Sequence, residues 1–281
     1  MAKKDRGQKA GSEPRLTEKG AAPAAPEMPA APPAPVAATP SWQGELPLFY
    51  KNPQLLTAER HQSFGLRETV DFGFARDTNS VPLGANELFP AHFSFPVVFT
   101  ESNPPLPVAV LGVGANRNSF VDDKGGWRDA AYVPAYIRRY PFILATGIAP
   151  GQIHLAIDEA AGSLTKDSGR KLFEGGQPSP LTAQAAEFCR AFQAEFDLAR
   201  AFGEALQAAN LLVSKRVDIQ QPDGTRQTLK QFRVVDEARY DALPDPAFLA
   251  WRRRGWLGLV YAHLLSMRRW QGFGAPAAGA V

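Results

Sequence analysis

The sequence predicts an α+β fold, a mainly antiparallel sheet built from hairpins and packed with a long helix and C-terminal helices. Three observations predict it. Paired β-branched or aromatic runs flank turn signals in three places, one helical pattern runs unbroken for about thirty residues, and no sustained strand and helix alternation occurs.

The elements follow in order from Leu46. LPLFYKNPQLL is an apolar lead-in with a turn at Asn52-Pro53, and His61 to Val70 alternates enough to suggest a strand. Gly84 to Phe93 suggests a short helix. Phe95–Glu101 and Val108–Val113 form the first antiparallel pair, and a short strand is expected around Phe120. Ile143–Gly147 and Gln152–Ile157, split by Ala149-Pro150-Gly151, form the second. Ala160–Pro180, rich in Gly, Ser, Lys and Asp, is expected to be an exposed loop around Leu172-Phe173.

A long helix starts after Ser179, with Pro180 in the first position where its missing N–H costs nothing, and runs to about Ala209. Its apolar stripe is Leu181, Ala185, Phe188, Phe192, Phe196, Ala199, Gly203 and Leu206. Leu211–Ile219 and Thr225–Val235 flank Gln221-Pro222-Asp223-Gly224 as the third hairpin. Asp236 and Asp245 are candidate N-caps, and a last helix is expected from about Leu257 to Trp270.

Residues 1–43, first basic and then almost wholly Ala and Pro, cannot bury enough apolar surface to offset chain entropy and are read as a disordered arm. Residues 44–272 are expected to form one domain and 273–281 a flexible tail. The net charge of +3 comes largely from the arm, so the domain lacks the basic excess of a nucleic-acid binder despite Arg252–Arg254, Arg268 and Arg269. A lone cysteine, Cys189, excludes an internal disulfide and fits a small core position. No membrane span or apolar leader is legible, so a soluble, cytoplasmic protein is expected.

The densest segment is WRDAAYVPAYIRRYPFIL, Trp127 to Leu144. Pro134 and Pro141 bracket a short helix, and Tyr132, Tyr136 and Tyr140 recur every four residues as if along one face. Arg138 and Arg139 have planar forks suited to a carboxylate or phosphate, and Trp127, Tyr132, Tyr136 and Tyr140 would wall such a pocket or a protein interface. The same residues also suit packing, with the arginines paired to Asp122, Asp123 or Asp158. Both readings stand.

The histidines, His61, His92, His154 and His263, form no metal-binding spacing. His154 with Asp158 and Glu159 is the densest local cluster, and an iron site there would need another histidine. GxSxG, GxxxxGK[ST] and a strand-anchored GxGxxG are all missing.

Together, VPLGANELF, FPVVFTE, the WRDAAYVPAYIRRYPFIL block, IDE at Ile157–Glu159, FRVVDEARYDALPD and GWLGLVYAHLLSM resemble the SapC family of bacterial proteins from about Leu46 to Met267. The resemblance implies a surface-layer, envelope or nutrient-uptake system. It also implies company with TonB-dependent receptors and flavin-dependent halogenase-like proteins. It brings no catalytic residues and no cofactor. A non-catalytic binding or assembly protein with a protein partner is the first expectation. The alternative is a metal-dependent oxygenase or modifying enzyme acting on a peptide or small acidic molecule through His154, Asp158 and a distant histidine, with Arg138 or Arg139 gripping the substrate.

Overall fold

The computed structural model describes residues 46–114, 116–146, 153–166, 168–220, 224–273 and 275–276. Along the chain run β1 (Pro53–Leu55), α1 (Ala58–His61), β2 (Phe64–Leu66), β3 (Ser80–Pro82), α2 (Leu88–Ala91), β4 (Val97–Thr100), β5 (Pro107–Val110), α3 (Ala135–Arg138), β6 (Phe142–Thr146) and β7 (Ile153–Asp158). There follow β8 (Leu164–Lys166), β9 (Arg170–Lys171), β10 (Phe173–Glu174), β11 (Gln177–Pro178), α4 (Pro180–Ala208), β12 (Leu212–Gln220), β13 (Arg226–Val235), α5 (Glu237–Asp241), α6 (Asp245–Arg253), α7 (Trp256–Ser266) and β14 (Ala275–Pro276). The fold is α+β.

All three expected hairpins form. The first and third share a six-stranded sheet in the order β14-β12-β13-β4-β5-β3, in which each neighbouring pair is antiparallel. The second, β6 with β7, pairs Phe142 with Ile157 and carries β1 on its other edge as a separate three-stranded sheet. The arm, the turn at 149–151 and residues 221–223 of the last turn lie outside the described residues.

Several local expectations are corrected. His61 belongs to α1, and only Phe64–Leu66 of the expected strand pairs. The short strand expected around Phe120 is a single bridge between Val121 and Trp127. Ala160–Pro180 is not an open loop. It folds into β8 to β11, with β8 and β9 flanking β2, because Leu172 and Phe173 are buried against Leu66, Phe142, Ile157 and Cys189. The turn before β9 needs Gly169, which has φ +74° and whose added Cβ would lie 2.3 Å from the Leu66 carbonyl oxygen. Asp236 does cap α5, but Asp245 is the first residue of α6, behind Pro244. The last α-helix stops at Ser266 and tightens into a 3-10 stretch, Met267–Phe273.

Helix α4 spans 29 residues, about 43 Å, and links the layers. Ser179 caps it by accepting from the Thr182 N–H at 3.3 Å, with Pro180 next in line. Leu181, Ala185 and Cys189 pack on the β6–β7 side, whereas Phe192, Ala199, Phe202 and Leu206 enter the main core with Phe95, just ahead of β4, and Phe99 of the large sheet. Each fully buried phenylalanine stabilises by roughly 1.5–3 kcal/mol. Valines 98, 110 and 217, Ile219 and Phe232 form a second layer on the opposite side of that sheet, under Met267 and Trp270.

Candidate functional site

The Trp127–Leu144 block is fixed by buried polar ties before it presents anything to solvent. Glu87, buried just ahead of α2, accepts from the Gly84 N–H (2.8 Å), the Ala135 N–H (2.6 Å) and the Tyr132 hydroxyl (2.8 Å). Burial, and then the Glu87 charge, push the Tyr132 phenol up to about 12. At the far end, the Tyr140 hydroxyl donates to Asp158 Oδ2 at 3.0 Å. Asp158 also accepts from the backbone N–H groups of Lys51 (3.1 Å), Asn52 (2.7 Å) and Ala160 (3.2 Å). One carboxylate therefore holds each end.

The three tyrosines do not share a helix face. Regular helix covers only Ala135–Arg138, so Tyr132 precedes it and Tyr140 follows it. Tyr136 lies between them in the core, its hydroxyl donating to the Leu48 carbonyl at 3.4 Å. Trp127 is elsewhere, stacked 5.9 Å from Phe120 and tilted 5.5 Å from Phe72.

The arginines diverge as well. Arg138 is exposed, donates to the Val133 carbonyl (2.9 Å) and the Tyr132 hydroxyl (3.1 Å), and lies 5.0 Å from the Phe188 ring centroid. Arg139 is half-buried among aromatic faces, 4.2 Å from the Tyr136 centroid, 4.6 Å from Phe192 and 5.7 Å from Tyr50. Its Nε is buried without a hydrogen-bond partner among the described residues. Among the described residues neither arginine is paired with a carboxylate. Two of the three expected partners are engaged elsewhere. Asp122 Oδ1 accepts from the N–H groups of Lys124 and Gly126, both at 2.8 Å, and Asp158 has the four donors above. Ring quadrupoles partly offset the Arg139 charge, but they do not neutralise it.

Both arginines line a cleft of about 380 Å³ between this block, the segment after β2, β9 and the first turns of α4. Two further guanidiniums enter it. Arg67 follows β2, and Arg170 pairs with Leu66 in the β2–β9 ladder, so two distant segments bring them to one rim. Arg67 is steadied by the Gly162 carbonyl, which accepts from its Nε at 3.2 Å. Among the described residues the carboxylate in the lining is Asp71, whose Oδ1 accepts from the Gly73 N–H at 2.7 Å. Leu66, Phe74, Tyr140, Phe142, Leu181 and Phe188 supply apolar wall. Of the residues singled out by sequence, Arg138, Arg139 and Tyr140 line the cleft, Tyr136 lies beneath Arg139, and Tyr132 braces Arg138. Arg67 and Arg170 carried no local signal.

The two expected ligands of the alternative reading, His154 and Asp158, lie on one strand four residues apart, a separation of about 13 Å that one ion cannot bridge. Among the described residues no three His, Cys, Asp or Glu side chains are grouped to hold a metal ion. Glu159 turns outward to Arg60 (Nε 2.5 Å, Nη2 2.8 Å), which with His61 holds its carboxyl below the usual range. Cys189 is buried, and burial pushes its thiol up to about 11.

The class defined here is an antiparallel α+β protein with an arginine-rimmed, aromatic-walled cleft. No helix among the described residues is long and apolar enough to cross a membrane. The chain belongs to the SapC family, whose family model, described as SapC, matches residues 56–273. No curated protein and no solved structure matches it. The match takes in the cleft-lining residues, Glu87 with its donors, and Tyr140 with Asp158, but not Lys51 and Asn52.

Proposed function

We propose that the protein is a non-catalytic binding or assembly component of a bacterial envelope, surface-layer or nutrient-uptake system, and that it engages its partner through an anionic group held in the arginine cleft. The observation that carries this reading is Arg139, a half-buried cation without a carboxylate partner among the described residues, facing the same cleft as Arg67, Arg138 and Arg170. A cation withdrawn from water is costly until an opposite charge meets it, and a partner's oxyanion supplies that charge. Membership of the SapC family supports the setting. The buried polar ties support a rigid scaffold, because their donors and acceptors are consumed internally.

The test is native mass spectrometry of the protein purified gently from its host, with the Arg138→Ala/Arg170→Ala double variant alongside. Both side chains are exposed, so the fold should tolerate the change. The reading expects a stoichiometric partner on the wild type, stripped by raised salt and missing from the variant. A bare chain from both preparations, or a partner held equally by both, overturns it.

A further inference from the structure

We infer that the arginine cleft is built for a carboxylate carried on a compact apolar or aromatic body, the chemistry shared by a small free acid and by the C-terminus of a chain ending in an apolar residue. This deepens the binding reading above and rests on it. Three properties of the cleft converge on that ligand class.

The first is charge. Among the described residues, four guanidiniums against one engaged carboxylate leave a local excess of positive charge at a site lying partly within the protein, where the effective dielectric is below that of water. Planar guanidinium forks favour an oxyanion that presents two oxygens in a plane, as a carboxylate does.

The second is the wall. The lining is mostly apolar, and Phe74, Phe142, Leu181 and Phe188 offer nothing to a second negative charge. A phosphate dianion or polyanion would lose hydration against these side chains without recovering hydrogen bonds. An apolar body attached to a single charge gains from the same walls. Arg138 and Arg139 are already steadied against Phe188, Tyr136 and Phe192, so their positions are set before a ligand arrives.

The third is size. A volume of about 380 Å³ lies at the lower end for small-molecule sites and holds on the order of a dozen waters, enough for a body near the size of one large amino acid. It does not take a folded segment. A terminal group does fit.

The experiment is isothermal titration calorimetry on the full chain with six probes: 3-phenylpropionate, 3-phenylpropionamide, acetate, inorganic phosphate, and a tetrapeptide ending in Phe in its free and its amidated form. The expected result is binding of 3-phenylpropionate at least about tenfold tighter than of the amide, of acetate or of phosphate. Arg170→Ala and Phe188→Ala should each weaken it by about fivefold or more while circular dichroism stays unchanged. A free-ended peptide that binds tighter than the small acid, with loss on amidation, assigns the ligand to a chain terminus. Tighter binding of the small acid assigns it to a free metabolite.

Equal binding of acid and amide, phosphate binding as tight as 3-phenylpropionate, or no heat at millimolar acid overturns the inference. If the acids fail while the Arg138→Ala/Arg170→Ala variant still loses its host partner, the ligand class falls and the binding reading stands. If the acids bind but host partner capture is unchanged in that variant, the assembly reading falls and the ligand class stands.

Discussion

The Tyr140 hydroxyl donates to the buried Asp158 carboxylate at 3.0 Å, tying the end of the arginine-bearing turn to the last residue of β7. Three backbone N–H groups complete the acceptor set of Asp158, two of them from the Lys51-Asn52 turn. The cleft rim is therefore positioned by an internal carboxylate that solvent does not reach.

Tyr140→Phe removes one donor and leaves the carboxylate three others, so it should cost about 1.5–3 kcal/mol of unfolding free energy. Asp158→Ala strands four donors, the Tyr140 hydroxyl and the backbone N–H groups of Lys51, Asn52 and Ala160, and should cost about 3 kcal/mol or more. In the double variant the tyrosine's share should vanish, because its acceptor is already gone. Urea denaturation of all four forms measures the coupling, and strictly additive losses would show that the bond contributes nothing.

Gly203 in α4 gives a prediction of unusual sign. An exposed Gly→Ala change inside a helix stabilises by up to about 1 kcal/mol, since alanine is the better helix former. Here an added Cβ would lie 1.8 Å from the Pro105 carbonyl oxygen, so helix and loop must separate. Gly203→Ala should instead destabilise by about 2 kcal/mol or more, read as a lowered midpoint in thermal unfolding. A raised midpoint would mean that the loop yields freely.

Cys189, the single thiol of the chain, should be silent in the folded protein. Burial keeps it protonated, and Arg139 only partly counters that effect. A disulfide reagent such as DTNB at pH 8 should report no thiol natively and one after unfolding in urea. Rapid native labelling would mean that the α4 contact with the β6–β7 sheet opens readily.

Much of the sheet was legible because it rests on local chemistry. Val97–Thr100 and Pro107–Val110 are β-branched or aromatic runs around a proline-rich loop, and α4 declares itself through Ser179, Pro180 and a 3.6-residue stripe. What failed depended on distant partners. Strands β8 and β9 exist because β2, about a hundred residues earlier, offers an edge on each side, and two- or three-residue strands have too few side chains to show a period. The tyrosine spacing misled because the helix between the two prolines is a single turn, Ala135–Arg138, too short to carry Tyr132 and Tyr140 on one face with Tyr136. As to the candidate site, Arg138, Arg139 and Tyr140 stood out by composition, whereas Arg67 and Arg170 reach the cleft only through the Leu66–Arg170 pairing. Glu87 offered no clue, and Asp158 stood out only as an arginine partner or metal ligand, since a carboxylate destined to collect backbone N–H groups looks like any other in sequence.

His263 supplies the last prediction, and its sign follows from its burial. The ring is fully buried between two strands, with Nε2 accepting from the Val235 N–H at 3.0 Å and Nδ1 facing the Val97 carbonyl oxygen at 2.7 Å. That pairing needs the neutral ring with its proton on Nδ1, and burial lowers its pKa from 6.5 to about 4. Above pH 6.5 the ring is neutral in both folded and unfolded chains, and no stability is lost. As the pH falls from about 6.5 to about 4, the unfolded chain takes up a proton that the folded chain refuses, so stability declines by roughly 3 kcal/mol. His263→Gln removes that titration, whatever its own cost at neutral pH. Urea unfolding at pH 7 and pH 4 should therefore show the wild type losing about 3 kcal/mol more than the variant over this interval. Parallel losses in the two proteins would mean that His263 is protonated in the fold, and the neutral link between β4 and β13 would have to be abandoned.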